Sequence, residues 1–197
     1  MANVLFPIFL KLDELNVLLV GGQFAGTEKA TAILRNSPNT PLKIVAKSFS
    51  DKIIQLKTEY PQIELIQRPF EDSDLENIDL LFLAIHDTAA SAEIRKKARQ
   101  KKILVNVADT PHECDFYLSA VVQKNDLKIA ISTNGKSPTI AKRLKELFQD
   151  SLPDELDNLL QSMNKIRQQL RGNFNDKVKK LNELTSSLIE KNEVINT

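Results

Sequence analysis

The chain has 197 residues, 42% of them hydrophobic, and its 27 Lys and Arg nearly cancel 26 Asp and Glu, leaving a net charge of +1. That length admits one domain with a buried core plus an appendage, and the composition is that of an ordinary globular protein. The balanced charge gives no reason to expect nucleic acid or an acidic membrane surface as a partner, and the single cysteine, Cys114, excludes an internal disulfide and a cysteine-rich zinc site.

The opening stretch "MANVLFPIFLKLDEL" has no basic start. Pro7 interrupts its apolar run and Asp13 and Glu14 follow, so it does not read as a signal peptide. No run approaches the ~20 apolar residues of a membrane helix. The expectation is a cytoplasmic protein without a membrane partner. Short apolar runs then alternate with helical patterns. Asn16–Val20 precedes a helix over 24–35, and Leu42–Ala46 precedes "FSDKIIQLKTEY". Ile63–Ile66 stands alone, Leu80–Ala84 precedes "ASAEIRKKARQ", and Ile103–Val107 closes the series. Continuous apolar strands separated by helices predict an α/β domain built on a doubly wound parallel sheet of about five strands, up to Thr110.

Beyond that point the pattern changes. "DFYLSAVV" and "LKIAIST" read as two strands joined by a turn at "KND". In "GKSPTIAKRLKELF", Ser137 is placed to cap a helix and Pro138 to begin it. After Pro153 two apolar stripes follow: Leu156, Leu159, Leu160, Met163, Ile166 and Leu170, then Phe174, Val178, Leu181, Leu184 and Leu188. Gly172-Asn173 separates them. They predict a helical hairpin that needs a surface to cover it. The expected division is 1–113 as a Rossmann-like domain, 114–150 as a segment with two strands, and 151–197 as the hairpin.

The stretch "VLLVGGQFAG" has the outline of the G-x-G-x-x-G dinucleotide turn, with Gly21 and Gly26 in the first and third places and Gln23 in the second. Gly22 adds freedom between them. A glutamine there points away from a pyrophosphate or occupies its space. From these residues alone, a cofactor turn and a strand-to-helix turn that binds nothing both stand. The second strand ends in Ala46-Lys47-Ser48 and lacks the carboxylate that would meet a ribose 2′-hydroxyl, so a 2′-phosphate is also open.

Four stretches occur in one order: "FPIFLKL", "VLLVGGQFAGTEKA", "ILVNVADTPHECDFYLSAVV" and "LKIAISTNGKSPTIAKRLKELF". Together they resemble the siroheme synthase family, in its precorrin-2 dehydrogenase and sirohydrochlorin ferrochelatase module. The resemblance implies a Rossmann domain with NAD as cofactor, a dimerisation segment over 114–150 and a homodimer. It implies oxidation of the tetrapyrrole precorrin-2 to sirohydrochlorin, with ferrous iron as a further substrate in some members. It also implies Asp109, in the Asn-Val-x-Asp turn, as the catalytic group. Dehydrogenation needs a base where hydride leaves, and a carboxylate after a parallel strand can serve. Read without the family, the residues favour Asp109 as a turn or cap residue before Thr110-Pro111, and the resemblance reverses that order.

Cofactor contacts are expected from Gly21, Gly22, Gln23, Phe24, Ala46, Lys47, Ala84, Asn106 and Val107. Asn106 sits in an otherwise apolar strand and must find partners there, from the fold or from the cofactor. Substrate contacts are expected from Ser132, Thr133, Gly135, Lys136 and Ser137. Gly135 and Lys136 lead into a helix start that attracts the carboxylates of such a substrate. His112, Cys114 and Asp115 match no metal spacing, and no metal ligand is assigned. Two departures from the family stand beside the cofactor, Ile85 for a hydroxyl residue and His86 for a carboxylate. With Gln23 they motivate the alternative of a catalytically silent tetrapyrrole- or nucleotide-binding homologue. A structural partner protein using the hairpin is the third reading.

Overall fold

The computed structural model describes residues 3–153, 156–171 and 173–186. Gly172 and Leu188, assigned above to the hairpin, lie outside them. The chain divides into two compact units: Met1–Ala120 with Ser132–Ala141, and Val121–Ile131 with Lys142–Thr197.

In the first unit, β1 (Val17–Val20), β2 (Leu42–Ala46), β3 (Glu64–Gln67), β4 (Leu80–Leu83) and β5 (Leu104–Val107) form one sheet in the order β3-β2-β1-β4-β5. Every pairing is parallel, as in Val17↔Leu42 and Val17↔Leu80. The connections are α1 (Phe24–Asn36), α2 (Asp51–Glu59) and α3 (Thr88–Gln100). The strand sequences lack polar alternation because both faces are covered. Val17, Leu19, Ile44 and Phe82 pack with Ile33 and Ile53 on one face, while Leu18, Val20, Leu81 and Val105 pack with Ile94 and Ala98 on the other. The order reverses between β1 and β4, which opens a crevice at the strands' carboxyl ends.

The chain leaving β5 differs from expectation. Residues 115–119 are not strand, because they are fastened to the first unit instead. Asp115 donates its backbone N–H to the Val105 carbonyl at 2.8 Å, and its carboxylate accepts from the Val105 N–H at 3.0 Å. Phe116 sits edge-on to Phe82, with ring centroids 5.4 Å apart. The strand begins only at Ala120.

β6 (Ala120–Lys124) and β7 (Leu127–Ile131) then form a two-stranded hairpin. The turn is Asn125-Asp126, with Lys124 inside the strand. Asn125 carries φ 49°, a left-handed conformation that asparagine tolerates. α4 (Pro138–Ser151) starts as expected, the Ser137 hydroxyl accepting from the Ile140 N–H at 3.2 Å. In the second unit, α5 (Leu156–Gln169) and α6 (Phe174–Leu184) bury no residue, and Phe174 remains 75% exposed. Among the described residues no helix is long and apolar enough to cross a membrane.

Candidate functional site

The turn between β1 and α1 is built on glycines that nothing larger replaces. Gly21 has φ 126°, and a Cβ there would lie 2.1 Å from the Ala84 carbonyl oxygen. A Cβ on Gly22 would lie 2.3 Å from the Ser48 carbonyl oxygen, and one on Gly26 would lie 2.2 Å from the Gly21 carbonyl oxygen. The turn is therefore wedged between the ends of β2 and β4, with α1 packed directly on it. Backbone bonds fix it there: Gly21 N–H to Val45 O at 3.0 Å, and Ser50 N–H to Gly22 O at 2.8 Å.

α1 starts without a side-chain cap and with no acidic residue in its first turn. Its free N–H groups and positive dipole end therefore face the crevice with no internal anion to satisfy them. Gln23 does not fill that space. Its amide donates to the Ser48 hydroxyl at 3.0 Å and to the Ser48 carbonyl at 3.4 Å, across to the end of β2.

A cleft of about 670 Å³ opens over these ends. Of the residues expected at the cofactor, Gly21, Gly22, Gln23, Ala46, Lys47 and Ala84 line it. Phe24, Asn106 and Val107 do not. Phe24 is exposed, and Val107 packs in the α3-side core. Asn106, 3% exposed, donates from Nδ2 to the Phe116 carbonyl at 2.8 Å, while its Oδ1 has no partner among the described residues. Ile85 and His86 line the cleft, as does Asp87, which caps α3 through the Ala90 N–H.

Several lining residues escaped sequence reasoning. Ser48 was adjacent to a residue singled out, but Arg68 and Phe70 arrive from the segment after β3, Asp72 from the short 3-10 helix Asp72–Leu75 and Lys97 from α3, with no local signal. Arg68 is already spent: both terminal nitrogens bond Asp74, at 2.7 and 2.8 Å. That pair, with the Glu71 N–H and Lys43, holds the buried Asp74 carboxyl at a pKa of about 2. Lys97 bonds Asp72 at 2.8 Å and Glu93 at 3.0 Å, and these two carboxylates raise its pKa. Lys47 makes no ion pair among the described residues and is exposed.

Asp109 lies on the same carboxyl edge, one strand over from the cleft. Ala108 N–H bonds the Leu83 carbonyl at 2.8 Å, so the turn starts beside the end of β4. Asp109 has φ 57° and its carboxylate accepts no hydrogen bond among the described residues. It is not the cap of the short 3-10 helix Pro111–Glu113, whose preceding residue is Thr110. Cys114 is committed to the fold, its Sγ accepting from the Val107 N–H and facing the Val107 carbonyl, both at 3.2 Å.

The loop 132–137 belongs to the first unit. Asn134 and Gly135 are both left-handed, at φ 55° and 73°. Thr133 Oγ1 accepts from the Ser137 N–H at 3.1 Å, and Lys136 N–H bonds the Thr133 carbonyl at 3.1 Å. Ser132 supports Asn134 through its hydroxyl at 3.2 Å, and the Lys136 side chain is exposed.

A five-stranded parallel sheet in this order, with a glycine turn at its switch point and an uncapped helix behind it, defines a domain for a nucleotide cofactor. Residues 8–120, more than half the chain, match the family described as "Putative NAD(P)-binding", and residues 124–151 match the sirohaem biosynthesis protein central segment. The chain belongs to this NAD(P)-binding family, and it is similar to siroheme synthases. It is 31% identical to a siroheme synthase of Pseudoalteromonas atlantica over 89% of its own length and 37% of that protein's. It is 32% identical to the siroheme biosynthesis protein met8 of Schizosaccharomyces pombe, over 79% of this chain and 59% of that one. The chain thus spans about a third of the length of the bacterial relatives. The fold is shared with the solved structure titled "SirC, precorrin-2 dehydrogenase", with a TM-score of 0.71 at 23% identity, over 91% of this chain and 89% of that one.

Proposed function

We propose that this chain is a precorrin-2 dehydrogenase of siroheme biosynthesis, oxidising precorrin-2 to sirohydrochlorin with NAD. The observation that carries the reading is Asp109, an unengaged carboxylate on a left-handed residue beside the cofactor cleft. Backbone strain of that kind persists where the surrounding fold imposes it, and it concentrates at reacting centres.

The cleft fits a dinucleotide. Gly21, Gly22 and the first turn of α1 would hold the pyrophosphate, and Ala46, Lys47 and Ser48 would meet the adenosine ribose. NAD supplies the hydride acceptor when bound. NAD is taken as the acceptor implied by the resemblance; at the ribose end Arg68 is occupied by Asp74, and Lys47 is the cation that a 2′-phosphate would meet. Asp109 takes the proton that must leave the ring system as the hydride departs. Lys136, Ser137 and the turn at Ser132–Gly135 would meet the carboxylates around the tetrapyrrole. The same aspartate would remove pyrrole protons where ferrous iron is a further substrate.

We assign the chain to a homodimer with a three-part organisation, 1–113, 114–150 and 151–197. The support is apolar surface without cover, including Phe6 at 85% exposure and the stripes of α5 and α6. An isolated two-stranded hairpin such as β6–β7 is also marginal alone.

The test is incubation of the purified chain with precorrin-2 and NAD, following the sirohydrochlorin spectrum, with ferrous iron added in a second series to read siroheme. Asp109→Asn keeps the shape and removes the base, so turnover should fall about a hundredfold or more. Unchanged turnover in a folded Asp109→Asn protein removes Asp109 from the chemistry. Tetrapyrrole binding without turnover in the unaltered chain favours the silent homologue suggested by Gln23, Ile85 and His86.

A further inference from the structure

The chain leaving β2 runs directly beside the turn that would hold the pyrophosphate. β1 and β2 pair side by side, with Val20 opposite Val45. The approach is close: a Cβ on Gly22 would lie 2.3 Å from the Ser48 carbonyl oxygen and 2.8 Å from Ala46 Cβ. In a domain of this strand order the adenosine ribose lies at that strand end. A carboxylate there binds the 2′-hydroxyl and repels a 2′-phosphate. This chain has Ala46-Lys47-Ser48 in its place.

Neighbouring acids do not supply the missing carboxylate. Asp72 and Glu93 line the cleft, but both are bonded to Lys97, at 2.8 and 3.0 Å. Asp87 accepts from the Ala90 N–H as the cap of α3. The cations are placed differently. Arg68 is held by Asp74, and Lys97 by its two carboxylates. Lys47 also lines the cleft, is exposed, and makes no ion pair or hydrogen bond among the described residues. Ser48 adds a second donor. Its Oγ accepts from Gln23 Nε2 at 3.0 Å, which fixes the oxygen and leaves the hydroxyl proton for another acceptor. A free ammonium and a free hydroxyl proton on successive residues suit a phosphate, whose oxygens accept both.

We propose that Lys47 and Ser48 form a subsite for the 2′-phosphate of NADP, with Gln23 holding the Ser48 hydroxyl in place, so that this chain binds NADP as readily as NAD. The proposal rests on reading the cleft as the dinucleotide site and extends that reading to the choice of cofactor.

Titration calorimetry of the full chain reads the subsite without turnover. The Kd for NADP should lie within about threefold of the Kd for NAD, or below it. Adenosine 2′,5′-bisphosphate and adenosine 5′-monophosphate differ by the 2′-phosphate alone, and the bisphosphate should bind about fivefold or more tighter. Lys47→Met should raise the ratio of the NADP Kd to the NAD Kd by about fivefold or more, and Lys47→Glu should raise it further through repulsion. Ser48→Ala should move the same ratio in the same direction by about threefold. Because Lys47 is exposed, added sodium chloride should weaken NADP more than NAD.

An unaltered chain that binds NAD but holds NADP about tenfold or more weaker overturns the proposal and leaves the NAD reading standing. An NADP-to-NAD ratio unchanged by Lys47→Met overturns it as well. If neither dinucleotide binds at millimolar concentration, the cofactor reading itself fails, and the subsite falls with it.

Discussion

Gly22→Ala probes how the cofactor turn is held. Gly22 does not have a positive φ, so alanine pays nothing in backbone conformation and the whole effect is steric. The new Cβ would stand 2.3 Å from the Ser48 carbonyl oxygen, 2.8 Å from Ala46 Cβ and 2.9 Å from a Phe49 ring carbon, where ordinary contact begins at 3.4 Å. Two of these neighbours are held in place by the fold, Ser48 by its backbone oxygen and Ala46 by β2. The turn must therefore retreat by about 1 Å, which also breaks the 2.8 Å bond from Ser50 N–H to Gly22 O. Overpacking costs about 1–3 kcal/mol and the lost hydrogen bond about 1 kcal/mol more, so the loss should be about 2–4 kcal/mol. For a chain of this size that lowers Tm by about 4–16 °C. Because the same movement withdraws the α1 amides from the crevice, NAD affinity should fall about tenfold or more, equivalent to ~1.4 kcal/mol. Thermal unfolding and titration calorimetry measure the two effects. A Gly22→Ala protein with unchanged Tm and unchanged Kd would refute the close packing of the turn against β2.

Other outcomes follow from the same geometry. The Asp74 carboxyl sits at about 2 in the folded chain against 3.8 unfolded, so its stabilisation is complete above pH ~5 and is lost as pH falls through 4 toward 2. That contribution is about 2 kcal/mol, and Asp74→Asn should remove it and flatten the acid limb of urea-unfolding stability between pH 5 and 2. Gln23→Gly should leave NAD affinity within about threefold, or ~0.7 kcal/mol, because the amide is turned to Ser48 and not to the phosphates. A tenfold change in either direction in calorimetry would count against that geometry. Sedimentation at micromolar concentration should show a dimer, and a monomer alone would leave the apolar stripes of α5 and α6 without an explanation.

The α/β alternation was legible because continuous apolar strands such as "VLLV" and "LLFL" occur where both sheet faces are covered, and their ends fell within a residue or two of the observed ones. Ser137 and Pro138 marked the start of α4 because capping is a local effect. What was not legible depends on distant partners. "DFYLS" has strand composition, yet Asp115 and Phe116 are captured by Val105 and Phe82, which precede them by ten residues or more. The direction of the Gln23 amide depended on Ser48, which only the fold brings across. Arg68 and Lys97 enter the cleft from segments with no motif.

The clasp of Asp115 on Val105 bears on how molecules of this chain avoid one another. β5 is the outermost strand on its side, and an outermost strand offers a row of N–H and C=O groups on which another chain can grow. Here the chain's own continuation occupies that row: Asp115 takes both Val105 groups, and Cys114 engages both Val107 groups. The blockade uses side chains as well as backbone, so it stops the sheet without adding a sixth strand that would itself need stopping. Loss of the carboxylate in Asp115→Ala would reopen the Val105 N–H, one of the four groups in that row. The cost would then appear less in Tm than in a tendency of the warmed protein to form β-rich aggregates.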